Sequence, residues 1–275
     1  KKIAFENVDL EFYTDLIEFM QNVKQLKKNT LSKHIRTLKT ILREALDNNY
    51  HSNIKFSSRR FAAPNELTTT MYLTENELQD IYKMDLTARP GLERVRDLFI
   101  VGCYTGLRYS DLQQVTQKNI ITDHENPRDL YLQITQTKTR KLVLIPIHEM
   151  VVNVMEKYKW VLPKPISIQK SNSYLKEVCK MIPSLKKVES IEYTKGGQRV
   201  TQMLPKYQLI SSHTARRSFA TNSYLKGHKS LDIMAVTGHR TESSFNRYIR
   251  VTPMEKARSF KLHEDKQKTL LKIAK

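Results

Sequence analysis

Tyr248 and five basic residues upstream of it are the side chains of this sequence best suited to act on one group together. Arg108 stands in TGLRYSDL, Lys138 in TQTKTRK, His213 and Arg216 in HTARRSF, and His239 in TGHRTESSFNRY. Two arginines, a lysine and two histidines can hold a phosphodiester and stabilise the charge it gains when attacked. A phenol is neutral at pH 7 and attacks only with help. Cationic neighbours supply part of that help.

Each signal has an ordinary reading beside the chemical one. His213 and Arg216 are three positions apart, so they project from one side of a helix turn. Ser211 or Ser212 can cap that helix, and its N-terminus would itself favour a phosphate. Alone, the pair reads as structural. Arg108 follows Gly106, which can end a helix in the left-handed conformation and re-aim the chain. Asp111, three residues on, either orients the guanidinium or forms a surface ion pair with it. Lys138 lies near the tip of a predicted hairpin beside Arg140 and Lys141. From there a lysine can protonate a leaving oxygen, or simply stay in solvent. Gly238 suggests a helix stop that places His239, and a packed structural histidine would look the same. Tyr248 lies nine residues beyond His239, between Arg247 and Arg250. Phe245 three residues earlier also suits plain packing.

The surrounding elements read as mainly α with small β-hairpins, an α+β chain. Val8, Leu10, Phe12, Leu16, Ile17, Phe19 and Met20 predict an apolar helix face over 7–25. A second helix to about Asn49 buries Leu31, Ile35, Leu38, Leu42 and Ala45. Arg36, Lys39 and Arg43 share another of its faces, suited equally to a DNA backbone or to solvent. Residues 51–72 read as a linker broken by Pro64, and Thr74 with Glu77 predicts a capping box opening the next helix. Residues 92–105, 148–159 and 171–182 look helical. ITQTKTRKLVLIPI predicts one hairpin, and KVESIEYTKGGQRVTQMLP a second, turning at Gly196-Gly197. From His213 onward four helices are predicted, over 213–226, 229–236, 241–250 and 254–273.

Composition narrows the class. The 275 residues carry a formal net charge of +19, an excess best matched by a polyanion whose counterions Lys and Arg displace. Residues 1–70 contribute +4 and residues 71–275 contribute +15, so the larger part is expected to make most phosphate contacts. Cys103 and Cys179 form no CxxC and read as buried thiols in a reducing cytosol. No His and Cys spacing suggests zinc, and no glycine-rich loop suggests a nucleotide, so neither metal nor cofactor is expected. The longest apolar runs are too short to span a bilayer. The start, KKIAFENVDLEF, shows neither Met nor signal peptide, which suggests a fragment.

Order and spacing together say more than any one motif. TGLR, a hairpin lysine, HxxR, and GH followed nine residues later by Tyr make a pattern that resembles the tyrosine recombinases, or phage-integrase family, over nearly the whole chain. HTARRSFATNSYLKG and the preceding YQLISS look most like integrases of Bacteroides-type mobile elements. The resemblance implies a helical core-binding, SAM-like domain at 1–50, a linker at 51–72 and a catalytic domain at 73–275 with a helical tail. It implies that Tyr248 attacks DNA to form a 3′-phosphotyrosyl link and a free 5′-hydroxyl. Arg108 and Arg216 would clamp the nonbridging oxygens, and Lys138 would protonate the leaving oxygen. His213 would assist the tyrosine and His239 would bond the phosphate, without metal or ATP. Lys138 is preferred to Lys141 because the family lysine precedes the turn.

The 187–206 hairpin is longer than in minimal members. Lys195, Arg199 and Lys206 there, with Arg140, are candidate DNA contacts. The implied partners are double-stranded DNA at specific sites, a homo-tetramer on two such sites and accessory DNA-bending proteins, in the cytoplasm of a bacterium. Members enclose DNA in a C-shaped clamp and exchange a C-terminal helix. Phe260, Leu262, Leu270, Leu271 and Ile273 offer such a helix an apolar face, in the same chain or a neighbour. Two rival readings remain open: a type IB topoisomerase, which relaxes DNA by the same chemistry, and a DNA-binding protein without catalysis.

Overall fold

A computed structural model of the chain describes residues 3–249, 251–258, 260 and 261. It divides into two compact units, one formed by residues 1–69 with 189–204 and the other by 70–188 with 205–275.

In the first unit Asp9 caps helix α1 (Leu10–Glu18), its carboxylate accepting from the Glu11 and Phe12 amides at 3.1 Å. The helix then widens into a π-turn over Phe19–Val23, with the Lys24 amide bonding back five residues to Phe19. At about 100° per residue Phe19 falls off the stripe of Leu10, Tyr13, Ile17 and Met20, so it is exposed rather than on the predicted apolar face. Helix α2 (Lys28–Asp47) buries Leu31, Ile35 and Leu42 as its periodicity predicts. The composition of 51–70 suggests a linker, yet Phe56 and Phe61 complete the core of this unit. Two phenyl rings outweigh the polar residues around them.

Strands β4 (Val188–Lys195) and β5 (Gln198–Pro205) pair as the predicted hairpin, with Gly196 and Gly197 both at positive φ. Residues 189–204 of the hairpin belong to the first unit, although the expected catalytic domain runs through them. Lys195 bridges to Lys27, and the Thr194 amide donates to the Glu66 carboxylate. The contacting residues lie more than a hundred positions away, so local pattern could not show them.

The second unit is built around α4 (Pro90–Thr105), which is buried from Val95 to Thr105. It packs against α3 (Glu75–Lys83), α6 (Glu149–Lys157), α7 (Ile168–Lys180) and α9 (Ser212–Leu225). The predicted capping box opens α3: the Thr74 hydroxyl accepts from the Glu77 amide, and the Glu77 carboxylate accepts from the Thr74 amide. The short helix α5 (Tyr109–Leu112) follows α4, and α8 (Lys206–Leu209) precedes α9. Strands β1 (Ile120–Thr122), β2 (Leu130–Thr135) and β3 (Leu142–Pro146) form an antiparallel sheet in that order. The first of them was not foreseen, being three residues long. Helices α10 (Ser230–Thr237) and α11 (Glu242–Asn246) follow α9. Among the described residues no helix is long and apolar enough to cross a membrane. Phe260 is exposed, while Leu262, Leu270, Leu271 and Ile273 lie outside the described residues.

Candidate active site

Two helices of the second unit end in the same way. Helix α4 closes on Thr105-Gly106 and α10 on Thr237-Gly238, with Gly106 at φ 66° and Gly238 at φ 70°. In each, the threonine hydroxyl donates to the carbonyl four residues back, Val101 at 2.7 Å and Ile233 at 2.6 Å. The left-handed glycine stops the helix and turns the chain, so Arg108 and His239 follow on irregular backbone. Close packing also demands glycine here. A Cβ at 106 would stand 2.6 Å from the Phe219 ring, and one at 238 would stand 2.5 Å from the Gln136 amide.

Arg216 joins those two helix ends. Ser211 caps α9 through a box with Thr214, and the helix carries Arg216 inward to 1% exposure. Its Nη1 donates to the Gly106 carbonyl at 2.7 Å and its Nη2 to the Thr237 carbonyl at 2.5 Å. The partial negative charge of two helix C-termini thus supports the guanidinium. Its Nε has no hydrogen-bond partner. Burial, and then the like charge of Arg108, lower its pKa to about 10.

His239 lies beside it, with Nε2 3.3 Å from Arg216 Nη2 and Nδ1 2.7 Å from Thr237 Oγ1. Arg216 can only donate, so Nε2 accepts. The Thr237 hydroxyl already donates to Ile233, so Nδ1 carries the ring proton. The network therefore assigns a neutral imidazole in one tautomer. Burial first, then Arg216 and Arg108, hold its pKa down at about 3.

Tyr248 follows α11 and is partly buried. Its ring centroid lies 4.7 Å from that of His239, and the Arg216 Cζ lies 5.6 Å from it. The Thr221 hydroxyl donates to the Tyr248 carbonyl at 3.2 Å, tying this segment to α9. His213, on the first turn of α9, keeps an exposed edge. Desolvation of the ring, followed by the charges of Arg217, Arg216, Arg108 and Lys138, lowers its pKa.

Arg108 is mostly buried and donates from Nη1 to Gln136 Oε1 at 2.7 Å. The Asp111 carboxylate stays 3.8 Å away and accepts instead from the Thr137 amide at 3.0 Å. Lys138 is exposed on the loop between β2 and β3. That loop turns through Arg140 at φ 53°, with the Arg140 amide bonding to the Gln136 carbonyl. Arg240 Nη2 anchors the same loop by donating to the Thr139 carbonyl at 2.7 Å.

Arg216, His239 and Tyr248 thus adjoin one another, Arg108 joins them through Gln136 and the Thr237 carbonyl, and His213 shares helix α9 with Arg216. Sequence reasoning overlooked Gln136, Thr237 and the Gly106 carbonyl, which hold these groups. The candidate DNA contacts differ in character. Arg36 is exposed but bonds Ser32 at 2.8 Å. Lys39 reaches the Phe61 carbonyl at 2.9 Å, and Arg43 reaches Ser57 at 3.0 Å and lies over the Phe56 ring. Two of the three therefore hold the 55–61 segment onto α2. Arg140 and Lys195 are exposed, and Arg199 pairs with Glu192. Lys206 is a structural ion pair, its Nζ 2.6 Å from the Glu77 carboxylate.

Residues 71–255 match the model of the phage integrase family, and residues 1–61 match the phage integrase SAM-like domain. Three solved structures illustrate the likeness of fold. The XerH site-specific recombinase, bound to palindromic difH substrate in a post-cleavage complex, aligns with a TM-score of 0.65 at 14% identity, over 95% of this chain and 72% of that one. A tyrosine-to-phenylalanine variant of the Tn1549 transposon integrase, in complex with transposon right end DNA, gives 0.66 at 16%, over 96% and 88%. A lambda integrase tetramer bound to a Holliday junction gives 0.60 at 18%, over 91% and 67%. Comparison with curated protein sequences gives no match.

Proposed function

The chain belongs to the phage integrase family, the tyrosine-type site-specific DNA recombinases, and on that premise we propose that it cuts and rejoins DNA through a covalent 3′-phosphotyrosine. The Tyr248 oxygen attacks the scissile phosphorus while the bond to the 5′ oxygen breaks. His213 takes up the phenolic proton, and Lys138 delivers one to the departing 5′ oxygen. Arg108 and Arg216 hold the nonbridging oxygens and meet the charge that grows on them. His239 is an acceptor in the free site. A phosphate beside it raises its affinity for a proton, which turns it into a donor to that phosphate. A 5′-hydroxyl from another strand then attacks the phosphotyrosine in reverse. The phosphoester energy is retained, so the cycle needs neither ATP nor metal.

The observation that most supports this reading is Arg216. It is a fully buried cation with an unpaired Nε and the Tyr248 ring beside it, held by carbonyls rather than by a carboxylate. A bound phosphate would satisfy both its charge and its free donor. The proposed assembly is a tetramer on two DNA sites, as lambda integrase is seen on a Holliday junction. Residues 1–50 serve as the core-binding domain and 73–275 carry the chemistry, with the hairpin packed on the former. Exposed Arg36, Arg140 and Lys195 are proposed to contact phosphates.

The test is covalent trapping. The protein is mixed with nicked suicide duplexes taken from the DNA flanking its gene, without metal or ATP. A denaturation-resistant adduct should form, and Tyr248→Phe should abolish it while keeping DNA binding. An undiminished adduct in that variant would end the assignment of the nucleophile.

A further inference from the structure

Gln136 has a burial that its position does not suggest. It opens the loop between β2 and β3, among polar and basic neighbours, yet it is 0% exposed. Its side-chain amide meets three separate segments. Oε1 accepts from Arg108 Nη1 at 2.7 Å and from the Thr139 hydroxyl at 2.9 Å. Nε2 donates to the Thr237 carbonyl at 2.8 Å. That carbonyl also receives Arg216. A reversed amide would face the guanidinium with N–H groups and the carbonyl with oxygen, so the partners dictate its orientation. Gly238 presses against the same amide, and any Cβ there would collide with it.

We infer that Gln136 is a positioning residue that aims Arg108 at the phosphate. The inference rests on the recombinase reading above. The chemistry explains the residue type. A glutamate would pair with Arg108 and cancel charge meant for the phosphate, while facing the Thr237 carbonyl with a second acceptor. An asparagine is one methylene too short to span both partners. A leucine fills the space but releases Arg108, Thr139 and Thr237 together.

The experiment measures single-turnover adduct formation on the suicide duplex for the full chain. Gln136→Leu should slow cleavage on the order of 100-fold, as expected when a catalytic group is misplaced by about an ångström. DNA affinity should stay within about threefold, since the phosphate contacts elsewhere persist. The discriminating readout is a double-mutant cycle with Arg108→Ala. If Gln136 acts through Arg108, adding Gln136→Leu to Arg108→Ala should cost less than about threefold more. Full multiplication of the two losses would overturn the inference, as would normal cleavage by Gln136→Leu. Gln136→Met removes the same three hydrogen bonds with a side chain of similar length and no charge, and carries the same test should the leucine variant fail to fold. Wild-type protein that forms no adduct, or an adduct that survives Tyr248→Phe, would instead sink the recombinase reading itself.

Discussion

Replacing Arg216 with methionine separates what this arginine does for folding from what it does for a phosphate. Its pKa is lowered from 12.5 to about 10 by burial and by Arg108. The folded protein therefore holds that proton less tightly than the unfolded chain. At pH 7 the buried charge costs about 3 kcal/mol of stability. Methionine removes that cost. It also leaves the Gly106 carbonyl without its donor, a penalty of about 1–3 kcal/mol. The Thr237 carbonyl keeps the Gln136 amide. The terms nearly cancel, so Arg216→Met should melt within about 5 °C of wild type. Cleavage should fall on the order of 100- to 1000-fold, because a transition-state cation is gone. Scanning calorimetry and single-turnover trapping measure the two effects on one preparation. A melting point lower by more than about 10 °C would make Arg216 a structural pillar. Cleavage within about tenfold of wild type would remove it from the transition state.

Gly238→Ala should be damaging on both counts, since its Cβ would sit 2.5 Å from Gln136 at a φ of 70°. Cleavage is expected to fall at least about tenfold. Gly227→Ala is the matched comparison, with φ 93° and open space around the new methyl. It should lose about 1–2 kcal/mol of stability and cut DNA normally, and equal cleavage by the two variants would refute the steric argument. His239 should make stability fall in acid. Its pKa drops from 6.5 unfolded to about 3 folded, so the unfolded chain binds a proton that the folded one refuses across that window. Stability present above the upper value is lost as pH falls toward the lower. His239→Gln should flatten that slope in acid unfolding curves, and an unchanged slope would mean that the ring already titrates normally.

The six residues proposed for catalysis stand out in the sequence because the proposed chemistry requires particular residue types, and the glycines at 106 and 238 mark where helices stop. The turn at Gly196-Gly197 was legible for the same local reason. Gln136 was not, because a glutamine between two threonines in a basic loop looks like surface. Its burial follows from its bonds to Arg108, Thr139 and Thr237, the last of them 101 positions from it. The basic face of α2 was read correctly as a face, but Lys39 and Arg43 turn toward Phe56 and Phe61, which composition had placed in a linker. The place of the β4–β5 hairpin depends on Lys27 and Glu66 in the same way. Periodicity reports which residues share a face, and the partner of that face comes from distant chain.

The choice of supports around the two arginines follows one rule. A carboxylate hydrogen-bonded to either guanidinium would stabilise it, but it would compete with a phosphate for the same donors and charge. Here Arg216 rests on two helix-end carbonyls and Arg108 donates to a neutral amide, while the Asp111 carboxylate pairs with Arg108 only at 3.8 Å and accepts its hydrogen bond from the Thr137 amide. Helix C-termini carry only about half a unit of negative charge, enough to orient a guanidinium without neutralising it. The positive potential is thereby left for the substrate. The free protein bears the cost as a depressed arginine pKa and an acid-sensitive histidine, and binding of DNA would relieve both. On this account a variant placing a carboxylate beside Arg108, such as Gln136→Glu, harms cleavage through charge, and one that merely empties the site harms it through position.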